Sequence, residues 1–300
     1  MSHFFACVGH ASVDHHFEIE AFPSHPTKTP AKSYNMIVGG MAANAAIAMA
    51  RLGVPVRLLG RVGDDSAGDF VCSQVQAHKV QSYLEQVALA HTSVSSVIVD
   101  TQGERQIFNH RGDAIAKAHA LDIQQLEGAQ ALLTDPRWCE GALTALHWAA
   151  QSGVLSVLDA DVAPQSVLQK LVPAARWAVF SEPGLHCYAP QLGQKAALQQ
   201  ALASGAQVAM VTLGARGVLW CEKGSKQMYQ QDGFSVQALD TTGAGDVFHA
   251  ALTIALSEHA SAQDAVRFAS AAAALKCTQR HGVLGTPSRS TVNGFLLQNV

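Results

Sequence analysis

The segment Asp240–Asp246, DTTGAGD, sets two glycines and an alanine ahead of a carboxylate, then runs into the apolar stretch VFHAALTIAL. A helix that begins near Ala244 leaves several backbone N–H groups at its start without intrahelical acceptors. With the helix dipole they form an anion site, and the small residues Gly243, Ala244 and Gly245 let phosphate oxygens come close. Asp246 then stands beside that anion. A carboxylate there is repelled unless it has work, and taking the proton from a hydroxyl that attacks phosphorus is such work. The plainer alternative is a tight turn in which Asp246 caps the helix.

The elements that hold this segment alternate along the chain. FFACVGH is expected as a first strand with Asp14 near its end, MAANAAIAMARLG as a helix ending at Gly53, and VPVRLLGRVG as the next strand. ALLTD, VLSVLDAD, WAVFSE, AQVAMVTLG and GVLWCEKG follow, with a helix through ALTALHWAAQSG and Ala-rich helices near the C-terminus. Strand, helix and strand in that order predict an α/β fold, a doubly wound and mostly parallel sheet flanked by helices. Two segments, about 15–38 and 92–110, read as strands without a helix between them. SVSSVIVDTQGERQIFNH is a hairpin with TQGE as its turn. These strands predict a small β lid on a single domain spanning 1–300.

Composition narrows the function. The 300 residues are 48% hydrophobic and 14% charged, which describes a compact globular chain. A formal net charge of −3 offers no footprint for nucleic acid. The six cysteines form no C-x-x-C pair, a distribution that suits reduced thiols in the cytoplasm. No signal peptide or membrane span is expected, because the longest small-residue runs are short and Ala-rich.

DTTGAGDVFHAAL resembles the C-terminal signature of the ribokinase-like (PfkB) carbohydrate kinases. VGGMAANAAIAMARLG followed by GRVGDDSAGD resembles their N-terminal signature. The resemblance spans nearly the whole chain. It implies ATP with Mg2+ and transfer of the γ-phosphoryl group to a sugar hydroxyl. Asp246 is implied as general base, and the backbone of Gly243, Ala244 and Gly245 as anion hole. Asp14 is implied to hold sugar hydroxyls, with Gly39, Gly40 and Asn44 shaping the pocket. VTLGARG resembles the family's nucleotide segment, which places Thr212, Gly214 and Gly217 near ATP; a simple strand-to-hairpin turn is the other reading. The chain departs from the family at SEPG, Ser181–Gly184, where similar kinases often carry Asn-x-x-Glu. The metal ligands are therefore left unassigned.

Lys28 in the first lid segment, Asn109 at the end of the lid hairpin and Arg137 after ALLTD fall where the family fold brings chain towards the sugar. Two cations and an amide suit a tetrahedral anion. Each alone also reads as an ordinary surface or hairpin residue. With TQGERQIFN, TDPRWCEG, LDADVAPQ and FSEPGL they resemble the sulfofructose kinases. That resemblance implies 6-deoxy-6-sulfofructose as acceptor, phosphorylated on its C1 hydroxyl. A phosphorylated or neutral ketose is the alternative acceptor, and a catalytically silent sugar or nucleotide sensor the alternative class. The sensor is disfavoured by the intact TTGAGD. Among 14 histidines, His15 and His16 are poor co-ligands because neighbours on a strand face opposite ways. An exposed lid predicts a homodimer.

Overall fold

The computed structural model describes residues 3–116 and 120–299, and Arg105 through its backbone alone. The N-terminal half runs β1 (Phe4–Gly9), β2 (Ser12–Glu18), β3 (Ser33–Gly39), α1 (Met41–Arg51), β4 (Val56–Gly63), α2 (Ser66–Ala77), β5 (Gln81–Val87), β6 (Ser93–Val99) and β7 (Arg105–His110). Next come β8 (Ala129–Thr134), α3 (Cys139–Ser152), β9 (Leu155–Ala160), α4 (Gln165–Leu171), β10 (Trp177–Ser181), α5 (Glu182–Tyr188) and α6 (Gln194–Ser204). The chain closes with β11 (Val208–Thr212), β12 (Val218–Glu222), β13 (Met228–Gln231), α7 (Ala244–Ser257), α8 (Ala262–Cys277) and α9 (Arg289–Gln298).

The large sheet has the order β13-β12-β11-β10-β9-β8-β1-β4-β5, parallel except for β12 and β13 at one edge. β1 is apolar at nearly every position because both of its faces are covered. Phe5 and Cys7 enter the core beneath α1, α7 and α8, whereas Phe4, Ala6 and Val8 enter the core on the α3–α6 side. From β1 the chain winds first through β4 and β5, then returns to build outward from β8. Strand order reverses at the β1–β8 seam, and in such sheets ligands bind beyond the carboxyl ends of the strands at that point.

The second sheet has the order β3-β2-β6-β7. It corrects two expectations. Asp14 does not end the first strand: β1 stops at Gly9, and Asp14 lies inside β2, paired with Ile37 and Ser95. The lid also begins at Ser12, and the residues between β2 and β3 are irregular. Pro23, Pro26 and Pro30 remove N–H donors from that connection. Lid rows alternate in character: Asp14, Ser95 and Asn109 share one face, and Phe17, Tyr34, Ile98, Met36 and Phe108 share the other. His15 and His16 accordingly face opposite ways.

Candidate active site

Two helix N-termini meet above the β1–β8 seam. α7 starts at Ala244 after Gly243, whose φ of 75° is the left-handed conformation that favours glycine. α1 starts after Gly40, and Asn44 in its first turn donates from Nδ2 to Oδ2 of Asp246 at 2.8 Å. That bond joins residues 202 positions apart. The Oδ1 of Asn44 is buried and has no hydrogen-bond partner among the described residues, so it remains available to a donor such as a sugar hydroxyl. A Cβ built on Gly245 would meet nothing within 4 Å. The start of α7 therefore opens onto free space, as an anion cradle requires.

Asp246 carries a perturbed carboxyl. Burial pushes its pKa up to about 8; the Asn44 amide works against this, and Asp161, Asp135 and Asp14 add to it. Such a group ionises just above neutral pH and accepts a proton once it has done so. Asp159 is raised well above the carboxylate range by burial and by Asp161, Asp246 and Asp135. His249, one turn along α7, lies 3.5 Å from Asp159 and is pushed down to about 4 by burial, so its imidazole is neutral.

The small sheet carries Asp14 and Asn109, two of the residues expected to face the acceptor. Asn109 Nδ2 donates to Ser95 Oγ at 3.1 Å, and Ser95 in turn hydrogen-bonds Asp14. Burial raises the Asp14 carboxyl, while the hydroxyls of Ser95 and Ser12 and the nearby His16 and His15 favour its ionised form. A Cβ on Gly39 would fall 2.3 Å from Asp14 Oδ2, so only glycine lets that carboxylate lie across β3. Arg137, in the short turn Pro136–Trp138, is half-buried, and its guanidinium makes no hydrogen bond or ion pair among the described residues. Its charge acts on His10, Asp135 and Asp159. Lys28 is exposed in the irregular segment, with no hydrogen bond or ion pair linking it to Asn109 or Arg137. No hydrogen bond among the described residues joins any two of the expected trio.

Of the expected nucleotide residues, Thr212 ends β11 beside Ser181, and its hydroxyl donates to Phe180 O at 3.3 Å. Gly214 opens a short turn that Gly217 closes. A Cβ on Gly217 would lie 2.0 Å from Gln231 O, so packing against the β13 edge already accounts for this glycine. Where the family has Asn-x-x-Glu, Ser181 caps α5 and donates to Asp161 at 2.6 Å.

Sequence reasoning missed Asp135. Buried at the exit of β8, its carboxylate accepts the N–H groups of His10 at 2.7 Å, Ala42 at 3.1 Å and Arg137 at 2.8 Å. It ties the end of β1, the start of α1 and the Arg137 turn into one frame. His10, Asp159, Asp161 and Arg111 were also missed. Burial, then Arg137 and Arg111, push the His10 imidazole down to about 4. The available signal was a polar residue closing each apolar strand, as in VGH, LLTD and LDAD. Asp135→Ala is expected to lower the melting temperature, since three buried donors would lose their acceptor. Calorimetry checks this, and an unchanged transition would deny Asp135 its framing role.

Residues 2–289 match the family described as pfkB family carbohydrate kinase. A Bacillus subtilis ribokinase is 29% identical over 268 residues, 88% of this chain and 89% of its own. A crystal structure from Agrobacterium tumefaciens, provisionally described as a ribokinase, superposes with a TM-score of 0.93 at 33% identity and covers 99% of this chain and 98% of its own. Arabidopsis thaliana ribokinase, solved with ribose and ATP, gives 0.86 at 26% identity, with 99% of each chain covered.

Proposed function

From the premise that this chain belongs to the pfkB family of carbohydrate kinases, and is therefore an ATP-dependent phosphotransferase acting on a sugar, we propose that it phosphorylates the C1 hydroxyl of 6-deoxy-6-sulfofructose. The observation that carries the acceptor is the unpaired Arg137 guanidinium among the carboxylates at the mouth of the seam. A half-buried cation without a partner among the described residues suits a sugar with an anionic tail. Lys28 joins it when the irregular lid segment folds down.

In this reading Asp14 and the free Oδ1 of Asn44 orient the hydroxyls. Asp246 takes the C1 proton as that oxygen attacks the γ-phosphorus in line. The N–H groups of Gly243 and Gly245 receive charge on the transferred phosphoryl oxygens, whereas that of Ala244, expected with them, already donates to Thr241 O at 3.2 Å. Thr212, Gly214 and Gly217 border the nucleotide. Among the described residues no three His, Cys, Asp or Glu side chains form a metal-binding group. Asp161 and Ser181 are the polar groups that would lie near a magnesium ion bound with the triphosphate. When bound, the ion neutralises phosphate charge.

Arg137→Ala is expected to lower kcat/KM for sulfofructose by about ten- to a hundredfold, because a charge-assisted hydrogen bond is lost. Fructose should lose far less, and Arg137→Lys should recover part of the loss. Equal losses for both sugars would end the sulfonate assignment. Faster turnover of fructose 6-phosphate than of sulfofructose by the parent would move the acceptor to a phosphorylated ketose. No ADP release with any ketose would leave the sensor.

The chain is also proposed to act in the cytoplasm as a homodimer through the lid. Its six cysteines are unpaired, and no described helix is long and apolar enough to cross a membrane. The lid face bearing Tyr34, Met36 and Phe108 leaves these side chains 52%, 41% and 57% exposed. A second copy of the same face would cover them. Phe108→Asp is expected to halve the mass seen by sedimentation at micromolar concentration; a parent that sediments as a monomer removes the dimer.

A further inference from the structure

Lys276, in the last turn of α8, is 0% exposed and yet ends in an ammonium. Its Nζ donates to the main-chain carbonyl of Asp240 at 2.7 Å and lies 3.5 Å from Asp240 Oδ2. The Asp240 carboxylate meanwhile accepts the N–H of Thr242 at 2.8 Å and of Gly282 at 2.9 Å. Cys277 O takes the N–H groups of Leu239 at 2.8 Å and Asp240 at 3.1 Å. The Cβ position of Gly243 falls 3.3 Å from Val283 N, so the far end of the segment rests on the same turn that Asp240 holds. Burial alone would raise the Asp240 carboxyl; the Thr242 and Gly282 N–H groups and the Lys276 ammonium together bring it below its ordinary value.

A buried ammonium costs several kcal/mol of desolvation, and an apolar side chain of similar volume would often serve stability equally well. What methionine cannot do is hold a carbonyl and a carboxylate of one segment at once. Asp240 lies four residues before Ala244, the first residue of α7, so the path of Asp240–Gly243 sets where the N–H groups of Gly245 and Asp246 point. The ammonium also places a fixed positive charge behind a loop whose open side collects phosphate.

We infer that Lys276 is a positioning residue for phosphoryl transfer, whose ammonium fixes Asp240–Gly243 and thereby aims the start of α7. The inference rests on reading that helix start as the phosphate cradle. It concerns the nucleotide side, so it predicts an effect on kcat with little change in the acceptor KM.

Lys276→Met, Lys276→Ala and Asp240→Asn are compared with the parent in steady-state turnover and in hydrogen exchange without nucleotide. In the folded variants kcat should fall by about ten- to a hundredfold while the acceptor KM stays within about threefold. Amides of residues 241–246 should exchange at least about tenfold faster, with residues 93–110 of the lid unchanged. Methylammonium chloride at tens of millimolar should restore part of the kcat of Lys276→Ala, and tetramethylammonium chloride, which has no N–H to donate, should not. Should both lysine variants fail to fold, Asp240→Asn carries the same kinetic and exchange tests. Parent-like exchange across 241–246, or kcat within threefold of the parent, in whichever variant folds would overturn the inference. Exchange needs no acceptor. A parent without kinase activity would refute the proposed function, while the exchange result still decides the role of Lys276.

Discussion

Asp246→Asn is expected to reduce turnover by about a hundred- to ten-thousandfold, the range that general-base catalysis contributes. The amide keeps the size of the carboxylate and removes the site proposed to take the acceptor's proton. ATP binding should persist, because the N–H groups at the start of α7 are main-chain and unaltered. The carboxyl at about 8 gives the effect a pH signature. The base must be ionised, so kcat/KM of the parent should rise with pH through about 8. The variant should lack that limb. Stability moves the other way. Between the ordinary value of 3.8 and about 8 the folded state keeps a proton that the unfolded chain has lost, so this contribution is present in acid and disappears as pH rises through that window. Melting temperatures should therefore favour Asp246→Asn over the parent by a wider margin at pH 8 than at pH 5. Turnover within a few-fold of the parent would remove Asp246 from the chemistry.

Gly245→Val should separate activity from stability more cleanly. Gly245 is the second residue of α7, has no positive φ, and a Cβ there meets no neighbour. Valine suits a helix interior better than glycine by a few tenths of a kcal/mol, so the melting temperature should hold or rise. The branched side chain would nevertheless occupy the space into which the first N–H groups of α7 open. Removing one donor of such an anion hole costs about 10²–10³ in kcat, and the block reaches more than one donor. Saturating ATP should not restore the rate. A stable variant with parental kcat would place the anion hole elsewhere.

The signatures around Gly39–Asn44 and Gly243–Asp246 were legible in the sequence because local backbone geometry demands particular small residues there. The parallel sheet was legible for a related reason: a strand covered on both faces writes a continuous apolar run, as in FFACVG. Asp14 was misplaced because the break after Gly9 turns on a backbone angle that composition does not announce. Asp135 and Lys276 were invisible for a different reason. Their partners are His10 and Ala42 in one case and Asp240 in the other, and only the tertiary fold makes them neighbours. Lys28 exposes the reverse limit, since its place in the lid segment could be foreseen but its neighbours could not.

The seam between β1 and β8 divides the chain in time as well as in space. Asp14, Gly39, Asn44 and Asn109, which are proposed to face the sugar, all lie within the first 110 residues, whereas Thr212 and Gly243–Asp246 come after residue 210. A nascent chain can thus complete its lid and its first strands long before its base has been synthesised. Only when α7 docks on α1, and Asn44 reaches Asp246, do the two halves of the site become one. Phosphoryl transfer is in this sense a readout of finished folding. A chain cleaved or truncated ahead of Asp240 lacks the proposed base and the helix start beside it.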